Sequence, residues 1–99
     1  MSMRMQRSSG NVFVDAGFPP EEAAHMLIRA DLMIQLCDLI EERGLTQKAA
    51  AKALSVTQPR ISDLVRGRIE LFSIDTLVEM LARFDVSVTL KVKRKKRVA

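Results

Sequence analysis

The strongest constraint on the fold is a pair of short helical patterns joined by a tight turn in the middle of the chain. Thr46 is placed to cap a helix over Gln47–Leu54, and Thr57 is placed to cap a second helix beginning at Gln58. Pro59 falls in the first turn of that second helix, where a missing N–H is harmless. Two short helices joined by a tight turn predict a helix-turn-helix.

The two predicted helices each have an inward face. The first is rich in alanine, and its small side chains allow another helix to approach closely. In the second, Ile61, Leu64 and Val65 form an apolar stripe at helical spacing. The side chains predicted to project from its other side are Gln58, Ser62, Asp63 and Arg66, with Arg60 flanking them.

Positive charge is concentrated in this part of the chain and at the carboxyl end. The formal net charge is +4. Residues 46–72 carry five basic and two acidic groups, and residues 91–99 carry six basic groups and no acidic one, whereas residues 1–45 have a net charge of −3. This segregation favours a side that faces a polyanion, although solvated basic tails are common.

The outward side chains of the second helix suit DNA recognition. Gln58 could bind an adenine edge or a phosphate, and Arg60 could pair with a guanine or the backbone. Gln47 and Thr57 lie at helix N-termini, where backbone N–H groups favour phosphates. An ordinary solvated helix face is the alternative. Asp63 does not suit a phosphate-facing surface, and we expect it to pair with Arg60 or Arg66 or to accept a hydrogen bond from a cytosine amine. The predicted DNA-binding residues are Gln47, Thr57, Gln58, Arg60, Ser62 and Arg66.

Helical patterns flank the central pair. Residues 21–43 form a helix that is apolar around most of its circumference and closes at Gly44. Its cover is provided by residues 12–18, by a second subunit or by another protein, and we expect residues 12–18 to pack down without forming a regular helix. Ser73 caps a later helix whose apolar side chains indicate core packing.

A change of period near the carboxyl end predicts a strand. Val86, Val88, Leu90 and Val92 alternate with polar residues, which is typical of a half-buried strand. The sequence offers no second strand to pair with it. We therefore expect antiparallel pairing with the same strand of a second subunit, which would match two recognition helices to half-sites about 34 Å apart in an inverted repeat.

The rest of the chain limits the other function classes. Residues 1–10 are predicted to be a flexible lead, residues 11–93 the domain, and residues 94–99 a basic tail that either follows DNA phosphates or only aids solubility. No apolar run approaches the roughly 20 residues of a membrane span, and no secretory signal is evident, so a cytoplasmic protein is expected.

Catalysis is the least supported class. His25 is the only histidine, and no cysteine or second histidine stands at metal-ligand spacing from it. Cys37 is the only cysteine, and we expect a buried, inert thiol. The carboxylates are scattered, and neither a phosphate-binding loop nor a nucleophile signature occurs. We therefore expect no catalytic residue, no metal and no cofactor.

The segment TQKAAAKALSVTQPRISDLVRG resembles the helix-turn-helix of the phage-repressor (Cro/C1, or XRE) family. The resemblance implies a mainly α fold, a lambda-repressor-like helix-turn-helix bundle with one C-terminal β-strand pairing across a dimer. It also implies a recognition helix that begins at Gln58. Two residues depart from the family pattern: Ser55 stands where a turn glycine is usual, and Ala50 where a larger apolar residue is usual. Serine reaches the required turn conformation only at some strain.

Further segments are similar to HigA-type antitoxins of bacterial toxin–antitoxin operons. They are NVFVDAGF, LTQ, RGRIELFSIDTL and the closing strand, within residues 11–93. This similarity implies a homodimeric repressor of double-stranded operator DNA that also neutralises a HigB-like ribonuclease toxin. Two alternatives stay open: a stand-alone XRE regulator without a toxin, and a protein that is chiefly an interaction module.

Overall fold

The computed structural model describes residues 11–94, and this part of the chain is mainly helical. The predicted lead over residues 1–10, and the predicted tail from residue 95 onward, lie outside the described residues. Within residues 11–94 there is no β-strand. The elements in chain order are α1 (Val12–Asp15), α2 (Pro20–Glu42), α3 (Gln47–Leu54), α4 (Gln58–Val65), a 3₁₀ turn (Ile69–Leu71) and α5 (Ile74–Arg83).

The core forms where α2, α5 and the α3–α4 pair meet. Its largest fully buried side chains are apolar, and no polar or charged residue is buried within residues 11–94. Burial of apolar surface, at roughly 25 cal/mol per Å², is therefore the main favourable term in folding. These side chains are Leu36, Leu54, Ile61, Leu64, Phe72, Leu77, Met80, Leu81 and Phe84.

The segment before α2 is more regular than the sequence suggested. Residues 12–15 form the short helix α1, so the expectation of an irregular segment was wrong. The physical reason is a cap: Asn11 accepts a hydrogen bond from the Phe13 N–H, which favours a helical turn. Asn11 also donates to the carbonyl of Ala23 at 2.8 Å, which ties α1 to α2.

The predicted helix caps are present. The hydroxyls of Thr46 and Thr57 accept hydrogen bonds from backbone N–H groups three residues later, at 3.0 and 3.4 Å. Ser73 caps α5 in the same way, at 3.1 Å. Each helix of the central pair therefore begins where its cap residue predicted.

The helices α2 to α5 all end in the same backbone motif. After α3, the Val56 N–H donates to the Ala51 carbonyl and Ser55 has φ 57°, the left-handed conformation that was expected to strain a serine. Gly44 has the equivalent conformation after α2, with φ 63°. Asp85 is the other non-glycine residue with positive φ, after α5. These sharp ends allow four helices to pack within a short chain.

The segment after α5 leaves the domain as extended chain. Val86 and Val88 pack partly against the core, whereas the side chains of Leu90 and Val92 are 66% and 91% exposed. The predicted strand over residues 86–93 is not formed within one copy of the chain. A strand that pairs only across a dimer obtains its hydrogen bonds from a second copy.

Candidate nucleic-acid interface

The recognition helix α4 is held by its inward side chains. Ile61 and Leu64 are fully buried in the core. Val65, which was predicted to face inward with them, is 52% exposed, so that prediction was wrong. Val65 is the last residue of α4, and it lines an open groove between α4 and α2 instead of packing into the core. Two buried side chains about one turn apart, Ile61 and Leu64, therefore hold α4 against the core, and the first residues of the helix remain exposed.

The structure brings three of the predicted DNA-binding residues together. Gln47, Gln58 and Ser62 line one shallow surface concavity of about 410 Å³, together with Pro59. Gln47 and Gln58 are the first residues of α3 and α4, so two helix N-termini meet at this surface. Such N-termini carry partial positive charge and favour an anion. The concavity thus combines two amides, a hydroxyl and two helix dipoles.

Arg60 follows Pro59 on α4 and is half-buried. Its guanidinium carbon lies 4.2 Å from the centre of the Phe72 ring. Within residues 11–94, no carboxylate pairs with Arg60, and the expected ion pairs of Asp63 with Arg60 or Arg66 are not formed. The stacking on Phe72 replaces the expected ion pair as the interaction that orients Arg60.

The remaining predicted residues have separate positions. Thr57 is exposed at the start of α4, where its hydroxyl caps the helix. Arg66 is exposed immediately after α4, about one helical turn beyond Ser62, and it does not line the concavity. Lys48, Lys52 and Arg68 are also exposed and add positive charge to this region.

An apolar groove lies between α2 and the C-terminal end of α4. It has a volume of about 330 Å³ and is lined mainly by apolar side chains, including Ile34, Cys37 and Val65, with the carboxylate of Asp38 also lining it. Part of the apolar circumference of α2 is thus left uncovered by the other residues of the 11–94 segment.

The thiol of Cys37 is half-buried rather than fully buried. Its sulfur lies 3.8 Å from the Leu64 carbonyl. Burial raises the pKa of the Cys37 thiol, and the negative charge of Asp38 raises it further. A raised pKa leaves less of the reactive thiolate at neutral pH.

Sequence reasoning missed the role of Phe72. In the linear sequence it is one more apolar residue before the Ser73 cap, and only the fold shows that its ring lies under Arg60. An arginine and an aromatic residue twelve positions apart give no periodic signal. The groove was indicated more directly, by the excess of apolar residues on α2.

Along residues 11–94, no group of three or more histidine, cysteine or acidic residues could hold a metal ion. His25 is exposed on α2. Across the same stretch, no helix has both the length and the apolar character that a membrane span requires.

Comparison with known proteins gives a family. None of the curated proteins compared matches the chain. A family model described as a helix-turn-helix domain matches residues 12–93, which is most of the chain and includes all five α-helices. The chain therefore belongs to this helix-turn-helix domain family, and its fold indicates a DNA-binding regulator.

Proposed function

We propose that the protein is a sequence-specific transcriptional repressor of the XRE type that binds double-stranded operator DNA. The observation that carries the proposal is the surface concavity where Gln47, Gln58 and Ser62 meet at two helix N-termini. A helix that presents polar side chains from its N-terminal half suits entry into the major groove. The proposed activity is binding, without catalysis, metal or cofactor, in the cytoplasm.

Each site residue has a role in this proposal. Gln58 and Arg60 read base edges, and Ser62 contacts a base or a phosphate. Gln47 and Thr57 bind phosphates at the starts of α3 and α4. A longer-range contribution comes from Arg66, whose exposed charge attracts the DNA backbone.

The proposed functional unit is a homodimer on an inverted repeat. Leu90 and Val92 expose large apolar side chains that a second copy would cover. Antiparallel pairing of residues 86–93 in two copies, through Val86, Val88, Leu90 and Val92, would satisfy the backbone groups that follow the Val86 N–H, which already donates to the Leu81 carbonyl. Replacing Leu90 and Val92 by lysine should convert the dimer to a monomer in analytical ultracentrifugation; a wild-type monomer would refute this part.

The experiment for DNA binding is a gel shift with a duplex of the chain's own promoter region. Loss of a base contact costs about 1–3 kcal/mol, so Gln58→Ala combined with Arg60→Ala should raise Kd by at least about 30-fold. A matched control replaces Glu79 and Arg83, which are exposed on α5, by alanine. Unchanged affinity of the first variant, with helical content retained, would contradict the proposed interface.

A second candidate function is antitoxin activity, favoured by the apolar groove of α2 and α4. We propose that a HigB-like ribonuclease toxin is the partner that covers it. Exposed apolar surface in a groove is typical of protein interaction sites. Co-expression with a toxin encoded beside this chain tests the idea. Val65→Glu should abolish co-purification, whereas Leu71→Glu, at a similarly exposed apolar residue outside the groove, should not. Absence of a neighbouring toxin gene favours a stand-alone regulator.

A further inference from the structure

The guanidinium of Arg60 lies over the aromatic ring of Phe72. The guanidinium carbon lies 4.2 Å from the ring centre, within the range of a cation–π contact. Phe72 is 1% exposed, so its ring position is fixed by the core. An arginine side chain has many rotamers in solution, and contact with a fixed ring removes part of that freedom before any ligand binds.

The contact places the guanidinium over the ring and uses none of its hydrogen-bond donors. Arginine has five N–H donors in the plane of the group. Within residues 11–94, no carboxylate or carbonyl accepts a hydrogen bond from the Arg60 side chain. A planar donor edge with no internal acceptor suits a phosphate or the edge of a guanine.

Both ends of the contact are attached to rigid backbone. The Arg60 N–H donates to the Thr57 carbonyl at 3.1 Å within the first turn of α4. The Phe72 N–H donates to the Ile69 carbonyl at 3.1 Å, which fixes the end of the 3₁₀ turn. Backbone hydrogen bonds therefore hold both the residue that carries the guanidinium and the residue that carries the ring.

We propose that Phe72 is a positioning residue for DNA binding, which acts by orienting the guanidinium of Arg60 toward the DNA. The inference rests on the proposed function, because it requires Arg60 to contact DNA. Preorganisation strengthens binding because less side-chain freedom is lost in the complex. Phe72 itself does not touch DNA in this scheme, since it is buried.

The chain contains a natural control for this arrangement. Arg43 lies over Phe84 at 4.4 Å, a closely similar stacking geometry on an equally buried ring. The Arg43 side chain, however, already donates a hydrogen bond to the Phe84 carbonyl at 2.9 Å. That arginine joins α2 to the end of α5, and neither residue lines the concavity.

The experiment is a double-mutant cycle with Phe72→Leu, Arg60→Ala and the combination, using the promoter-region duplex. Loss of the ring contact should raise Kd about threefold to tenfold when Arg60 is present, and change it less than about twofold in the Arg60→Ala background. Phe84→Leu should leave Kd unchanged. If Phe72→Leu does not fold, Phe72→Met removes the ring with a flexible apolar side chain.

Nuclear magnetic resonance gives an independent readout in the free protein. The aromatic ring should shift the Arg60 side-chain protons upfield, and Phe72→Leu should remove that shift. An equal loss of affinity in both Arg60 backgrounds overturns the proposal, because a purely structural role predicts it. The proposal is also overturned if Arg60→Ala leaves Kd unchanged while Gln58→Ala weakens binding. That result leaves the proposed DNA-binding function intact. If no interface variant affects Kd, the proposed function fails first.

Discussion

Replacing Ser55 by glycine should stabilise the protein. Ser55 adopts φ 57° and ψ 42° at the end of α3. The left-handed conformation costs a residue with a side chain about 1–2 kcal/mol, and glycine avoids this cost. Glycine loses more backbone freedom on folding, which offsets about 0.5–1 kcal/mol. The Ser55 side chain is exposed and makes no hydrogen bond to the described residues, so no contact is lost. The net gain is about 0.5–1 kcal/mol.

Thermal unfolding followed by circular dichroism measures this gain. For a domain of this size it corresponds to a rise in Tm of about 2–8 °C. Asp85→Gly is the matched control, because Asp85 has φ 61° in the same helix-ending motif. Aspartate tolerates this conformation better than most residues, so its replacement should gain less. A Ser55→Gly variant that is less stable than the wild type would refute the strain argument.

Three further predictions concern the caps, the core and the thiol. Thr46→Ala and Thr57→Ala should each lower the free energy of unfolding by about 1 kcal/mol, and only Thr57→Ala should also weaken DNA binding measured by fluorescence anisotropy. Ile61→Val should cost about 0.5–1.5 kcal/mol in urea unfolding with little change in Kd; a large change would show that the buried anchor also shapes the interface. Burial raises the pKa of the Cys37 thiol, so the folded protein favours the neutral thiol. The stability that this neutral thiol contributes is present at neutral pH and is lost as the pH rises through the raised pKa. Wild type should lose more stability at alkaline pH than Cys37→Ala, and equal losses would count against the cause assigned here.

The helices and their beginnings were predictable because their signals are local. Thr46, Thr57 and Ser73 mark caps within one turn of the residues that they bond. The apolar spacing that gave α4 and α5 depends only on helical periodicity. Gln47 and Gln58 were predicted as the first residues of their helices, whereas their meeting in one concavity was shown only by the structure.

The features that sequence reasoning missed depend on contacts between distant elements. Val65 fits the inward stripe of α4 by period, yet the core ends one residue earlier. The helix α1 has a local cap at Asn11, but the same side chain also donates to the carbonyl of Ala23 on α2, a contact that no linear pattern indicates. The Arg60 and Phe72 stacking joins a helix to the turn that follows it, and no linear pattern encodes that distance.

The wholly apolar core described above has a practical consequence for work on this protein. The core of residues 11–94 is held by contacts between apolar side chains, which carry no charge for added electrolyte to screen. The fold should therefore tolerate a wide range of ionic strength. A fall in DNA affinity over that range would then reflect counterions that return to the duplex. The slope of log affinity against log salt concentration gives the approximate number of phosphates that the protein neutralises.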